Sequence, residues 1–162
     1  MNKDNIISII KGKVDETVKI AMETPKSTVL QVYTAYMPVD TKTEVALEVA
    51  NYVLDMIYTK TIREQEGGTY GVGTALRATR EPYSRVTFMV QFDTNPEQAP
   101  KLSGLTVKYL NELAQNGPTA EEFAMAMENI QKNLPESRIT NSYWQSALSL
   151  NQEFGIDYDA EY

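Results

Sequence analysis

An arginine and a tyrosine seven residues apart are the side chains in this sequence best suited to bind a peptide. Arg63 and Tyr70 stand on either side of the pair Gly67-Gly68. A guanidinium can donate to a peptide carbonyl, and a phenol can donate to the oxyanion that forms when such a carbonyl is attacked. The spacing predicts that the two side chains flank one sharp turn and face a substrate groove.

Histidine and cysteine are both absent from the 162 residues. Imidazole and thiolate are the usual ligands of zinc in proteins, and a Ser-His nucleophile also needs an imidazole. We therefore predict no metal site in this chain. The Arg63 and Tyr70 pair is expected to be half of a site whose chemistry is completed elsewhere.

Three other interpretations of this stretch follow from the residues alone. Arg63 could simply complement the dipole at a helix C-terminus, with Tyr70 packed in a sheet. The glycines could instead suggest a phosphate loop, but they follow a helix and precede a strand, which is the reverse of the required order. Glu64 and Glu66 do not share a helix face, so we expect solvated charges rather than an acid–base pair.

Charge and composition exclude several kinds of partner. The formal net charge is −7, whereas nucleic acids and anionic membranes select basic surfaces. No apolar run is long enough to span a bilayer, and residues 1–11 lack the pattern of a signal peptide. These features predict a soluble chain of unknown compartment. The sequence closes on what looks like the opening of another helix, so residues 1–162 are interpreted as one domain of a longer protein.

Hydrophobic periodicity and turn residues predict an α+β domain, an antiparallel sheet covered on one face by helices. The predicted strands are residues 13–21, 27–37, 69–78 and 85–93, with a hairpin loop at 80–84. The predicted helices begin at Thr41, Asn95, Thr119 and about Glu136. They end at Gly67-Gly68, at Asn116-Gly117, at Leu134-Pro135 and at Gly155, respectively.

The segment from Ile62 to Val72 resembles the C-terminal homologous domain of the insulinase/pitrilysin zinc metallopeptidases. That domain typically carries an arginine followed seven residues later by a tyrosine, as Arg63 and Tyr70 are here. The resemblance extends over most of the chain. It includes the strands before the first helix, the capped helix at Asn95 and the Gly-Pro-Thr-x-Glu-Glu opening at 117–122.

The resemblance implies the processing-peptidase type of α/β roll and a division of labour between two domains. A homologous N-terminal domain would supply a His-x-x-Glu-His zinc site, and this domain would supply Arg63 and Tyr70 to bind substrate and stabilise the transition state. The implied partners are that zinc-bearing domain or subunit and a peptide substrate. The isolated chain is then expected to hydrolyse nothing, although its parent would be a zinc metalloendopeptidase.

Two alternatives stay open at this point. Some members of the family are structural scaffolds or non-catalytic partner subunits of the same fold, and this chain could be one. A fold relative without any link to peptidases is the other alternative, in which Arg63 is only a helix terminus. A His-x-x-Glu-His motif upstream in the same reading frame, or in a neighbouring gene, would favour the peptidase.

Overall fold

Three antiparallel strands form the sheet at the centre of the described part of the chain. The structure is a computed structural model that describes residues 11–161, apart from the side chains of Gln65, Ala160 and Glu161. The short apolar run within residues 1–10 therefore lies outside the described residues. The strands are β1 (Ser27–Tyr36), β2 (Val72–Thr79) and β3 (Arg85–Thr94), in the order β1-β3-β2.

The helices follow the predicted order along the chain. They are α1 (Thr41–Tyr58), α2 (Ala99–Asn116), α3 (Ala120–Arg138), α4 (Asn141–Phe154) and α5 (Tyr158–Glu161). A π-helical segment, Thr59–Gln65, continues α1 toward the two glycines. None of the helices in residues 11–161 has the length and apolar character of a membrane span.

One face of the sheet is covered by helices, which confirms the predicted α+β class. Side chains alternate across a strand, and every second residue of β3 from Val86 to Thr94 is buried. Three of them, Phe88, Val90 and Phe92, form the main core cluster together with helix residues that include Leu54, Tyr58 and Leu102. The opposite face of the sheet remains open, with Leu30 58% exposed on β1.

The predicted strand at residues 13–21 is wrong. No strand occurs in the described residues before Ser27, and Val18 and Ile20 are 83% and 77% exposed. Alternating apolar residues describe the two faces of a strand but do not supply its hydrogen-bonding neighbour. In the described sheet β1 pairs with β3 alone, so this segment has no partner strand.

Two predicted helix starts differ in detail from the observed ones. The N-cap of α1 is Asp40, whose carboxylate accepts from the Thr43 amide at 2.7 Å, and not Thr41. Hydrogen bonds from the Thr43 side chain and, to a smaller extent, from the Thr43 amide lower the pKa of the Asp40 carboxyl. Asn95 accepts from the Gln98 amide in a turn that precedes α2, and the helix itself begins at Ala99. Hydrogen-bonding residues close together in the sequence compete for the same role, and the path of the backbone decides between them.

Pro135 does not end α3, contrary to the prediction. The helix continues to Arg138, and Thr140 caps α4 by accepting from the Tyr143 amide at 3.3 Å. A proline removes one hydrogen bond within a helix but does not require the helix to stop. The predicted Thr119 capping box and the left-handed Gly155 C-cap are confirmed.

Candidate functional site

Arg63 lies in the last turn of the π-helical segment with its side chain exposed. The adjacent Ile62 is fully buried in the main core cluster and anchors this turn to the sheet. The turn is wide, because the Glu66 amide donates to the Thr61 carbonyl five residues earlier at 3.2 Å. With Ile62 directed into the core, the next side chain is directed toward solvent.

Tyr70 lies two residues before the start of β2 and is fully exposed, at 101% of its reference area. The predicted strand began at Thr69, but β2 begins at Val72. The Thr69 hydroxyl donates to the Gly71 carbonyl at 2.9 Å and accepts from the Gly71 amide at 3.3 Å. These two bonds hold the backbone on both sides of Tyr70. The interpretation of Tyr70 as a packed strand residue is therefore wrong.

Residues 66–68 join the two halves of the candidate site and are held by neighbouring elements. Gly67 has φ +59°, the left-handed conformation expected of glycine after a helix end. The Thr94 hydroxyl at the end of β3 donates to the Gly68 carbonyl at 2.5 Å. Glu66 forms an ion pair with Lys101 in the first turn of α2, so this carboxylate has a structural partner.

Neither the Arg63 side chain nor the Tyr70 side chain has a hydrogen bond or an ion pair with the groups that the structure describes. The donors of the guanidinium and the phenol are therefore free to bind a ligand. The structure does not bring these two side chains into contact with each other. They are connected through the turn between them, whose two ends are anchored in the core and at the start of β2.

A shallow groove of about 410 Å³ lies beside Tyr70 on the open face of the sheet. Its walls include Leu30, Ala75 and Met89, and Gly71 and Gly73 contribute only backbone. Arg63 is not among the described residues that line it. Sequence reasoning missed this groove because its walls come from three strands. The alternation of glycine with larger residues at 71–75 was the available signal.

Candidate metal ligands do not cluster within the described residues: no group of three or more His, Cys, Asp or Glu side chains could hold an ion. With no histidine or cysteine anywhere in the sequence, the residues present do not fit a catalytic zinc. What this surface can do chemically is to donate hydrogen bonds from one cation and one phenol.

Comparison with known proteins identifies one matching family. The sequence model of this family, described as "Peptidase M16 inactive domain", matches residues 7–130, which is more than half of the chain. No functionally curated protein matches this chain by sequence.

Two solved structures share the fold. The periplasmic protease PqqL from Escherichia coli aligns over 86% of this chain with a TM-score of 0.71 and 21% identity. The ferredoxin protease FusC, in a variant bound to Arabidopsis ferredoxin, aligns over 82% with a TM-score of 0.64 and 14% identity. The aligned regions are 16% and 15% of those chains, so this chain spans about one-sixth of the length of either protein.

Proposed function

Because this chain belongs to the inactive-domain family of the M16, or insulinase-like, peptidases, we propose that it is the substrate-binding, non-zinc domain of a longer metallopeptidase. In this proposal Arg63 and Tyr70 bind the peptide backbone near the bond that is cleaved. A homologous domain of the same polypeptide, or a partner subunit, carries the zinc. The domain alone is expected to cleave no peptide.

The observation that carries this proposal is the exposure of two hydrogen-bond donors on a well-held turn. The side chains of Arg63 and Tyr70 have no polar partner among the described groups, whereas the neighbouring Ile62, Glu66 and Gly68 are packed, ion-paired or hydrogen-bonded. The fold thus fixes the backbone of the turn without using the two polar side chains. Such an arrangement suits binding because the backbone of the turn is already ordered, so that mainly the two side chains lose conformational freedom when a ligand binds.

The chemistry proposed for this chain is hydrogen bonding to a carbonyl. Arg63 donates to a substrate carbonyl and orients the peptide, and Tyr70 donates to the oxygen that gains negative charge in the transition state. The proton of Tyr70 stays on its phenol oxygen throughout. In the full-length enzyme, bound zinc would supply the activation of water, which no residue of this chain replaces.

The test uses the full-length parent and an internally quenched peptide library. We expect Tyr70→Phe to lower kcat/KM by about 10²–10³, the usual effect of removing one oxyanion donor. Arg63→Ala should lower it as well, through weaker orientation of the peptide. Zinc content and melting temperature should be unchanged, because both side chains are exposed.

Matched controls are available in the same sheet. Arg77 is exposed in the middle of β2, and Tyr83 is half-exposed in the hairpin loop. Arg77→Ala and Tyr83→Phe remove the same chemical groups at a distance from the turn and should leave turnover unchanged. Wild-type turnover in both Arg63→Ala and Tyr70→Phe would end the catalytic assignment.

A structural or partner subunit of the same fold is the second candidate function. The open face of the sheet favours it, since Leu30, Val32 and Tyr36 are each more than half exposed. A scaffold would need this face but not Arg63 or Tyr70. A parent reading frame without His-x-x-Glu-His, together with co-purification of a large partner that survives Tyr70→Phe, would favour the scaffold over the peptidase.

A further inference from the structure

Gly68 is in closer contact with α2 than any other residue type would allow. A Cβ atom placed on Gly68 would lie 2.7 Å from Leu102 Cδ1 and 2.8 Å from Gln98 Oε1. Carbon atoms in proteins normally approach no closer than about 3.5 Å. An alanine at this position would therefore push the turn away from α2 or displace these two side chains.

The close contact, and not the backbone conformation, explains the glycine at this position. Positive φ angles occur at Gly67 but not at Gly68. Gly71, three residues later, also lacks a positive φ, and a Cβ there would meet nothing within 4 Å. The chain thus offers two glycines on either side of Tyr70, only one of which is sterically required.

The two residues that hold Gly68 are themselves buried. Leu102 is 1% exposed and belongs to the main core cluster, where close packing leaves little space for it to move into. Thr94 is 7% exposed, and its hydroxyl donates to the Gly68 carbonyl. Gln98, in contrast, touches the turn with the end of a flexible side chain and can move away.

We propose that Gly68, Thr94 and Leu102 form a latch that sets the position of Tyr70 relative to Arg63. These are positioning residues, because the latch acts through the turn and touches no substrate. The inference rests on the proposed function of Arg63 and Tyr70. It assigns the end of β3 and the start of α2 to the substrate site, although neither element contributes a side chain that contacts peptide.

The physical reason is the sensitivity of a transition-state contact to small displacements. A methyl group at Gly68 must displace the turn by several tenths of an ångström or more, since Leu102 is fixed by the core. Arg63 is five residues from Gly68 and is anchored through the buried Ile62, whereas Tyr70 is only two residues away, so we expect most of the displacement to fall on Tyr70. A misplacement of about 1 Å at a reacting group can lower the rate about 10²-fold.

The first experiment compares Gly68→Ala with Gly104→Ala in the full-length parent. Gly104 is an exposed glycine of α2 at which a Cβ would meet nothing within 4 Å. We expect kcat/KM on the peptide library to fall about 10- to 100-fold in Gly68→Ala, mainly through kcat, and to stay within twofold in Gly104→Ala. In the 162-residue chain, NMR should show shifted amide resonances for residues 66–72 in Gly68→Ala but not in Gly104→Ala.

A rescue variant separates positioning from general stability. Leu102→Val removes the Cδ1 atom that an alanine at Gly68 would strike. In the wild-type background it should lower the melting temperature by creating a cavity, whereas in the Gly68→Ala background it should restore most of kcat/KM, because the alanine methyl group can then occupy the space of Cδ1. If Gly68→Ala acted only through a general loss of stability, a second substitution that is destabilising by itself would lower turnover further. If Gly68→Ala fails to fold, Thr94→Val removes only the hydrogen bond, and Thr94→Ser serves as the conservative variant that should retain activity.

The outcomes distinguish the latch from the function on which it rests. The latch alone would be overturned if Tyr70→Phe lowers the turnover of the parent but the separate variants Gly68→Ala and Thr94→Val both keep wild-type turnover. Wild-type turnover in Arg63→Ala and Tyr70→Phe would overturn the proposed function, and the positioning role would fall with it. Loss of turnover in Gly68→Ala without rescue by Leu102→Val would also contradict the latch.

Discussion

The phenol of Tyr58, in the last turn of α1, donates a hydrogen bond of 2.9 Å to the backbone carbonyl of Thr106 in α2. Both residues are completely buried. The Thr106 hydroxyl continues the connection, because it donates to the Gln31 side chain of β1 at 2.7 Å. One polar chain thus joins α1, α2 and β1 inside the core, next to the helix turn that carries Arg63.

Tyr58→Phe tests the contribution of this buried bond. The substitution keeps the ring in the core and removes only the hydroxyl. We expect the free energy of unfolding to fall by about 1 kcal/mol, the net value of a typical intramolecular hydrogen bond. Urea denaturation measures the change, with Tyr83→Phe as the exposed control. No difference between the two variants would show that the bond contributes nothing.

The same variant should alter the dependence of stability on alkaline pH. Burial raises the pKa of the Tyr58 phenol above its ordinary value of 10.0, with a smaller contribution from Tyr33. The folded state then keeps this proton at pH values where the unfolded chain releases it. The contribution of Tyr58 to stability is complete below pH 10 and is lost as pH rises toward the raised pKa. Tyr58→Phe should therefore lose stability less steeply above pH 10 than the wild type does.

An ion pair between Arg80 and Glu44 connects the hairpin loop to α1. The two charged groups are 2.8 Å apart, and their side chains are only 11% and 21% exposed. Arg80 also donates to the Val39 carbonyl at 3.0 Å and lies over the Phe154 ring. We expect Arg80→Ala to cost on the order of 3 kcal/mol, because it leaves the Glu44 carboxylate largely buried without its partner.

A double-mutant cycle with Glu44→Ala isolates the pair. The double variant should be less destabilised than the sum of the two single variants, since removing both charges leaves neither one unpaired. Chemical denaturation gives the free energy of unfolding of all four proteins in the cycle. As a control, Arg77→Ala on the exposed face of β2 should change the free energy of unfolding by less than about 0.5 kcal/mol. Strict additivity would mean that the two groups do not interact.

Pro135→Ala is expected to stabilise the protein. Pro135 is exposed within α3 and lacks the amide that would complete the hydrogen-bond ladder of the helix. Alanine restores this donor and has the highest helix propensity, so the gain should be on the order of 1 to 3 kcal/mol. Thermal unfolding measures it. A loss of stability would indicate that proline at this position is needed to direct the chain into α4.

Patterns of neighbouring residues predicted those structural features that neighbouring residues determine. The Thr119 capping box, the glycine after α2, the Gly155 C-cap and the 80–84 hairpin loop all depend on residues within a few positions of one another. Periodicity predicted the α+β class for the same reason, since each element must bury its own apolar face. The Arg63 and Tyr70 spacing also pointed to the matching family, although the role of these residues stays a prediction.

Only the tertiary structure decided the features that depend on distant partners. Residues 13–21 have the pattern of a strand, but no neighbouring strand pairs with them in the described residues. Glu44 pairs with Arg80 instead of completing a capping box with Thr41, and Gly68, in a turn, contacts Leu102 of α2. A sequence states which groups each residue offers, and packing alone determines which of them meet, because the contacts form between segments far apart along the chain.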